Sequence, residues 1–256
     1  MILSLLACTS PSRDSAPALA EDTGWPQVDL QNPVELQPGW SAGQAGLAFQ
    51  SALEGPYPDV RVIGATYLEW IARGDELCPG GDSLQPPAVS LEGCTSSSGV
   101  HYAGLSGWSE DTDRWGLQVA DFRLTDPEGR SFLAGGEAVV SDGGGSSYLL
   151  LRGSFHDTGA AGWLGQGGSA LLQVIGSQAG MIAQIGMSTP AGPLYTDELL
   201  VGSACMEGEV FLKGLEGGWY DLNLDCGCGP VRFGAQELGE VCLDDEPIRA
   251  ALQEAL

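Results

Sequence analysis

Short apolar runs, separated by Gly and Ser at intervals of roughly ten residues, set the pattern of this chain, and few stretches are long enough for a helix. That rhythm predicts antiparallel β-structure. Candidate strands cover Val60–Ile71, 88–91, 100–105, 115–124, 130–140, 148–155, 170–175, 181–187, 210–213, 219–224 and 231–233. Within 115–124, Trp115, Leu117 and Val119 alternate with Gly116, Gln118 and Ala120, the two-residue period of a half-buried strand. Asp126-Pro127-Glu128-Gly129 follows as a turn, because Pro presets φ and Gly accepts the last position. Residues 141–147 and 216–218 read as further turns, the latter as a hairpin link. At Val60–Ile71, Ile63, Tyr67, Trp70 and Ile71 also sit at helical spacing, but the β-branched start and Gly64 favour a strand.

The expected fold is all-β: an antiparallel sandwich or barrel-like meander of at least eight strands, disulfide-stapled, with one short C-terminal helix. That helix is announced by Asp244-Asp245-Glu246 as cap and dipole-matched acids, with Pro247 in the first turn. Ile248, Ala251, Leu252, Ala255 and Leu256 then form one apolar stripe. A single domain over 25–256 is expected, with a possible subdivision at 189–193 before a four-cysteine C-terminal module. No fixed-length repeat is present.

Charge narrows the partners. Ten Lys and Arg against 34 Asp and Glu leave a net charge of −24, and Lys213 is the single lysine. Such a surface repels nucleic acid and anionic headgroups, which excludes both as direct partners. Apolar residues make up 43%, too many for a disordered acidic tail. No apolar run reaches the length of about 18 residues that a membrane-spanning helix needs.

Met1-Ile2-Leu3-Ser4-Leu5-Leu6-Ala7 precedes Cys8, and Leu5-Leu6-Ala7-Cys8 resembles the lipobox of bacterial lipoproteins. The resemblance implies cleavage before Cys8, a lipid on its sulfur, and anchorage to a membrane through that lipid. With Thr9 and not Asp next to the cysteine, it also implies the outer membrane of a Gram-negative cell. No Lys or Arg precedes Cys8, a departure from the family's charged start, so residues 1–7 are expected to be the remnant of a truncated or mis-started signal peptide. Residues 8–24 then read as lipidated cysteine and flexible tether. The alternative is secretion after cleavage at Ala18-Leu19-Ala20.

Seven cysteines agree with export: Cys8 for the lipid, and an even remainder of Cys78, Cys94, Cys205, Cys226, Cys228 and Cys242 for three disulfides. Cys78 and Cys94 are isolated from the rest, and their loop is worth about 3 kcal/mol on the chain-entropy account. The other four allow three connectivities, or a four-thiolate metal site, which the one-residue spacing of Cys226 and Cys228 disfavours.

Two Asp-Thr-Gly tripeptides, at Asp22 and Asp157, resemble the paired loops of pepsin-type aspartic proteases, in which two carboxylates share a proton. Asp22 sits in the tether and His156 precedes Asp157, so turn chemistry competes with this reading. No G-x-S-x-G, H-x-x-x-H or phosphate-loop pattern occurs, and His101 and His156 read as a strand and a turn residue. The acids at 110–113, Asp142 and 244–246 admit calcium only weakly, since Trp115 and Phe122 stand at two ligand positions of an EF-hand-type loop starting at Asp111. Trp108 and Trp115 flank the first acidic loop, a sugar-stacking arrangement or simply core. The functional expectation is a cell-envelope lipoprotein whose non-catalytic β-domain binds a protein or glycan, or scaffolds. The alternative is an exported hydrolase, aspartic-protease-like or glycosidase-like, using paired carboxylates.

Overall fold

A computed structural model describes residues 29–79 and 93–256. The expected strand at 88–91 and the tether with Asp22 and Cys8 lie outside the described residues.

Among the described residues, twelve strands form one antiparallel sheet in which each pairs with its sequence neighbours. They are β1 (Cys94–Thr95), β2 (His101–Asp111), β3 (Arg114–Thr125), β4 (Ser131–Gly143), β5 (Ser146–Asp157), β6 (Gly168–Ser177), β7 (Gly180–Thr189), β8 (Gly192–Gly202), β9 (Met206–Lys213), β10 (Trp219–Leu224), β11 (Cys228–Phe233) and β12 (Gln236–Cys242). The meander form of the expected fold is therefore the one found, as an open sheet, with disulfides and the C-terminal helix in place. Residues 189–193 are the tight β7–β8 hairpin, pairing Ser188 with Pro193 and Thr189 with Gly192, and the sheet runs on through them.

The strand expected at Val60–Ile71 is a helix, α2, and a helix that the pattern had not announced, α1 (Ala42–Leu53), precedes it. Asp59 caps α2 by accepting from the N–H groups of Arg61 and Val62, and Ser41 with Gln44 forms a capping box on α1. The helical spacing of Ile63, Tyr67 and Trp70 wins over the β-branched start because all three are wholly buried against the sheet. Each contributes about 1.5–3 kcal/mol of apolar burial. Gly64, the residue that counted against a helix, is where the Trp115 indole lies: an added Cβ would sit 2.9 Å from Cη2 of that ring. Gly46 likewise admits Val241, 3.1 Å from an added Cβ, so α1 packs closely on β12. Both helices thus lie on one face of the sheet, α1 near β9, β11 and β12, and α2 near β3, β4 and β5.

Inward residues alternate along each strand. In β3, Leu117 and Val119 point inward, then a bulge at Asp121 (φ 47°) resets the parity so that Phe122 and Leu124 are also buried. The short helix α3 (Gly162–Gln166) links β5 to β6. The last helix, α4 (Asp245–Ala255), is capped by Asp244 and buries Ile248 and Leu252, as its stripe predicts. It closes the end of the sheet where Arg249 donates to the carbonyl of Gly202 and Leu256 meets Gly176.

Candidate functional site

Asp157 ends β5, as the tripeptide pattern predicts, but its side chain is 0% exposed and already committed. Its carboxylate accepts from Arg130 Nε at 3.0 Å and Nη2 at 2.9 Å, from Trp70 Nε1 at 2.8 Å and from Gly159 N–H at 2.6 Å. Burial pushes its pKa up, and the Arg130, Trp70 and Gly159 donors outweigh burial and hold it below the ordinary carboxylate range. Arg130 also pairs with Glu69 at 2.8 Å and lies over the Trp70 ring, with Arg73 on the same indole. Arg73 in turn pairs with Asp126 of the β3–β4 turn at 3.1 Å. The cluster fastens the C-terminal turn of α2 to the ends of β3, β4 and β5. Both Asp157 oxygens are used, and among the described residues no second carboxylate shares a hydrogen bond with it; Asp22, the other half of the expected pair, lies outside the described residues.

His101 opens β2, as expected, whereas His156 lies within β5 and not in a turn, with Nε2 3.2 Å from the Gly165 carbonyl. Asp121, Arg123, Leu133, Ser154 and His156 line a recess of about 470 Å³. The acidic loop at 111–113 is the β2–β3 hairpin tip, where Asp111 accepts from the N–H of Thr112. Asp142 beside it pairs with Arg61. Among the described residues, no group of three or more His, Cys, Asp or Glu is placed to hold a metal ion. Trp108 and Trp115 are stacked on each other at 5.1 Å, Trp108 also stacks on Tyr67 at 5.6 Å, and Trp115 lies on Gly64. Their rings are used in packing α2 on the sheet.

Of the six cysteines outside the tether, Cys78–Cys94 and Cys228–Cys242 are bridged. The first closes the segment after α2 onto β1; Asp75 braces the same segment by accepting from the N–H groups of Ser97, Cys78 and Leu77. Those backbone donors, Ser97 first, bring the Asp75 carboxyl down to about 2. The second bridge joins register partners across β11 and β12. Cys205 and Cys226 are free thiols on neighbouring segments that the Gly227 N–H to Met206 carbonyl bond of 2.7 Å holds side by side, and Cys205 Sγ donates to Glu207 at 3.7 Å. The Cys226 thiol beside it, then burial and Glu207, push Cys205 up to about 11, so it is protonated at neutral pH. Oxidation is expected to join this pair as the third bridge. Alkylation without reductant should then leave Cys205 and Cys226 unlabelled in the exported protein; labelling of both would show that the pair stays reduced.

Two features had no signal in the sequence reading. One is the Arg130–Trp70 seat of Asp157. The other is the outer face of β6–β8, where Ile175, Ile182 and Leu200 are 39%, 42% and 37% exposed. Strand parity separates these residues from their buried neighbours Val174, Ala183, Leu199 and Val201, but the run at 170–175, apolar except for Gln173, conceals it. Comparison with protein-family models, with curated proteins and with solved structures finds no match.

Proposed function

We propose that this chain is a cell-envelope lipoprotein, held at the outer membrane through a lipid on Cys8, whose β-domain works by binding or scaffolding. The observation that carries this reading is the cysteine distribution. Two bridges staple the β-domain, the free thiols Cys205 and Cys226 stand on neighbouring hydrogen-bonded segments, and the one cysteine left over stands in Leu5-Leu6-Ala7-Cys8. Disulfides persist in oxidising compartments, which suits an exported chain. Because α1 and α2 cover the face of the sheet that carries the core, the opposite face, with Ile175, Ile182 and Leu200 exposed, is the one open to a partner. Of the paired-carboxylate alternative, Asp157 is occupied by Arg130, Trp70 and Gly159, and Asp22 lies outside the described residues. Labelled palmitate fed to expressing cells should enter the wild-type chain and be lost in Cys8→Ser. Equal labelling of both would overturn the lipoprotein reading.

A further inference from the structure

We infer that the outer face of β6–β8 is a docking surface for a basic, amphipathic protein segment. The inference deepens the binding role proposed above and is independent of the lipid on Cys8. Register places Tyr148, Ile175, Ile182 and Leu200 in one row across β5, β6, β7 and β8. The row ends at Glu207 of β9. An adjacent row is polar: Gln173 and Gln184 pair across β6 and β7, and Gln184 donates to Asp197 at 3.1 Å. Asp197 and Glu198 fall in the β8 bulge between Thr196 and Leu199, and these two acids with Gln173, Gln184, Ile175 and Ile182 line a shallow recess of about 280 Å³. The bulge brings both carboxylates to the margin of the apolar row.

Charge decides the occupant. No Lys or Arg occurs between Arg152 and Lys213; β6 and β7 carry no charged residue, and the fixed charges of β8 are the acids Asp197 and Glu198. A second copy of this chain would bring the same acids against these, and a net −24 repels it further. An anionic bilayer is repelled for the same reason. A segment that alternates cationic and apolar side chains satisfies both rows: its apolar positions cover Ile175, Ile182 and Leu200, and its cations meet Asp197, Glu198 and Glu207. Exposed aliphatic side chains in a continuous row are what such a partner desolvates, and the acids set its orientation.

The test uses the full-length chain and a synthetic peptide alternating Lys and Leu, with Lys–Ser and Glu–Leu peptides and phosphatidylglycerol vesicles as comparisons. Calorimetry should show binding of the Lys–Leu peptide, weakened at least tenfold in Ile175→Ser/Ile182→Ser and in Asp197→Asn/Glu198→Gln. The Lys–Ser peptide should bind at least tenfold more weakly. Amide shifts should move on β6–β8. Both variants change exposed positions, and unchanged thermal unfolding confirms that they fold. Absence of binding, equal binding by both variants, shifts confined to other strands, or preference for Glu–Leu peptide or vesicles would overturn the inference. Any of these would leave palmitate labelling of Cys8 untouched, so the two readings fail separately.

Discussion

Gly153→Ala should leave the protein unfolded or destabilised by at least about 4 kcal/mol, the range reserved for named backbone or core defects. Gly153 pairs with Gly136 across β4 and β5, with φ of 125° and 132° respectively. L-residues rarely adopt that conformation, and here glycine also admits the neighbouring strand's backbone. A Cβ on Gly153 would lie 2.1 Å from the Gly135 carbonyl oxygen, and one on Gly136 would lie 2.0 Å from that of Arg152. Neither obstacle is a movable side chain. The two strands cannot separate without breaking the register that runs from Phe132–Asp157 to Gly143–Ser146. Gly135→Ala is the matched control, since a Cβ there meets nothing within 4 Å, and its midpoint in urea should fall by no more than about 1 kcal/mol equivalent. Similar losses for Gly153→Ala and Gly135→Ala would show that the close approach does not constrain the sheet.

Arg130→Met should cost about 3–5 kcal/mol at neutral pH, because it leaves the Asp157 carboxylate buried without its cation. The pH dependence should also change sign. In the wild-type protein the folded Asp157 pKa lies below its unfolded value, so its contribution is complete above the unfolded pKa of about 4. That contribution is lost as pH falls through the folded value. Without Arg130, burial dominates and lifts the carboxyl, so the variant should regain stability on acidification toward pH ~4, where Asp157 is neutral. Arg130→Met/Asp157→Asn should recover part of the loss at neutral pH, since no buried charge remains. Chemical denaturation of the three proteins across pH decides this. A pH-independent deficit in Arg130→Met would mean that Asp157 is not the group left uncompensated.

What the sequence made legible follows from where the determining contacts lie. Most strands were legible because a meander pairs neighbours through short turns, and each turn carries its own Gly or Pro chemistry. The α1 and α2 helices were harder because Gly43, Gly46 and Gly64 lower local propensity, while Val241 and Trp115, which fill the space beside two of them, come from distant strands. Strand β8 was concealed by Pro193 at its start and by the Asp197–Glu198 bulge, which breaks the alternation. Strand β12 has few apolar residues and is held by β11 and α1. Without β12, the Cys228–Cys242 pairing could not be read from spacing, whereas Cys78–Cys94 could, from its isolation. Asp157 was recognisable as a strand-end residue, but Arg130 stands 27 positions away and Trp70 stands 87, so its role as a structural anchor depended on the fold.

The proposal of a lipid-held binding domain is tested most directly by mass spectrometry of the protein's N-terminal peptide, after extraction from the membranes of an expressing Gram-negative bacterium. The expected result is a peptide beginning at Cys8 and carrying a thioether-linked diacylglycerol. A peptide that spans Cys8 with an unmodified sulfur, or one that begins at Glu21 after cleavage at Ala20, would contradict it.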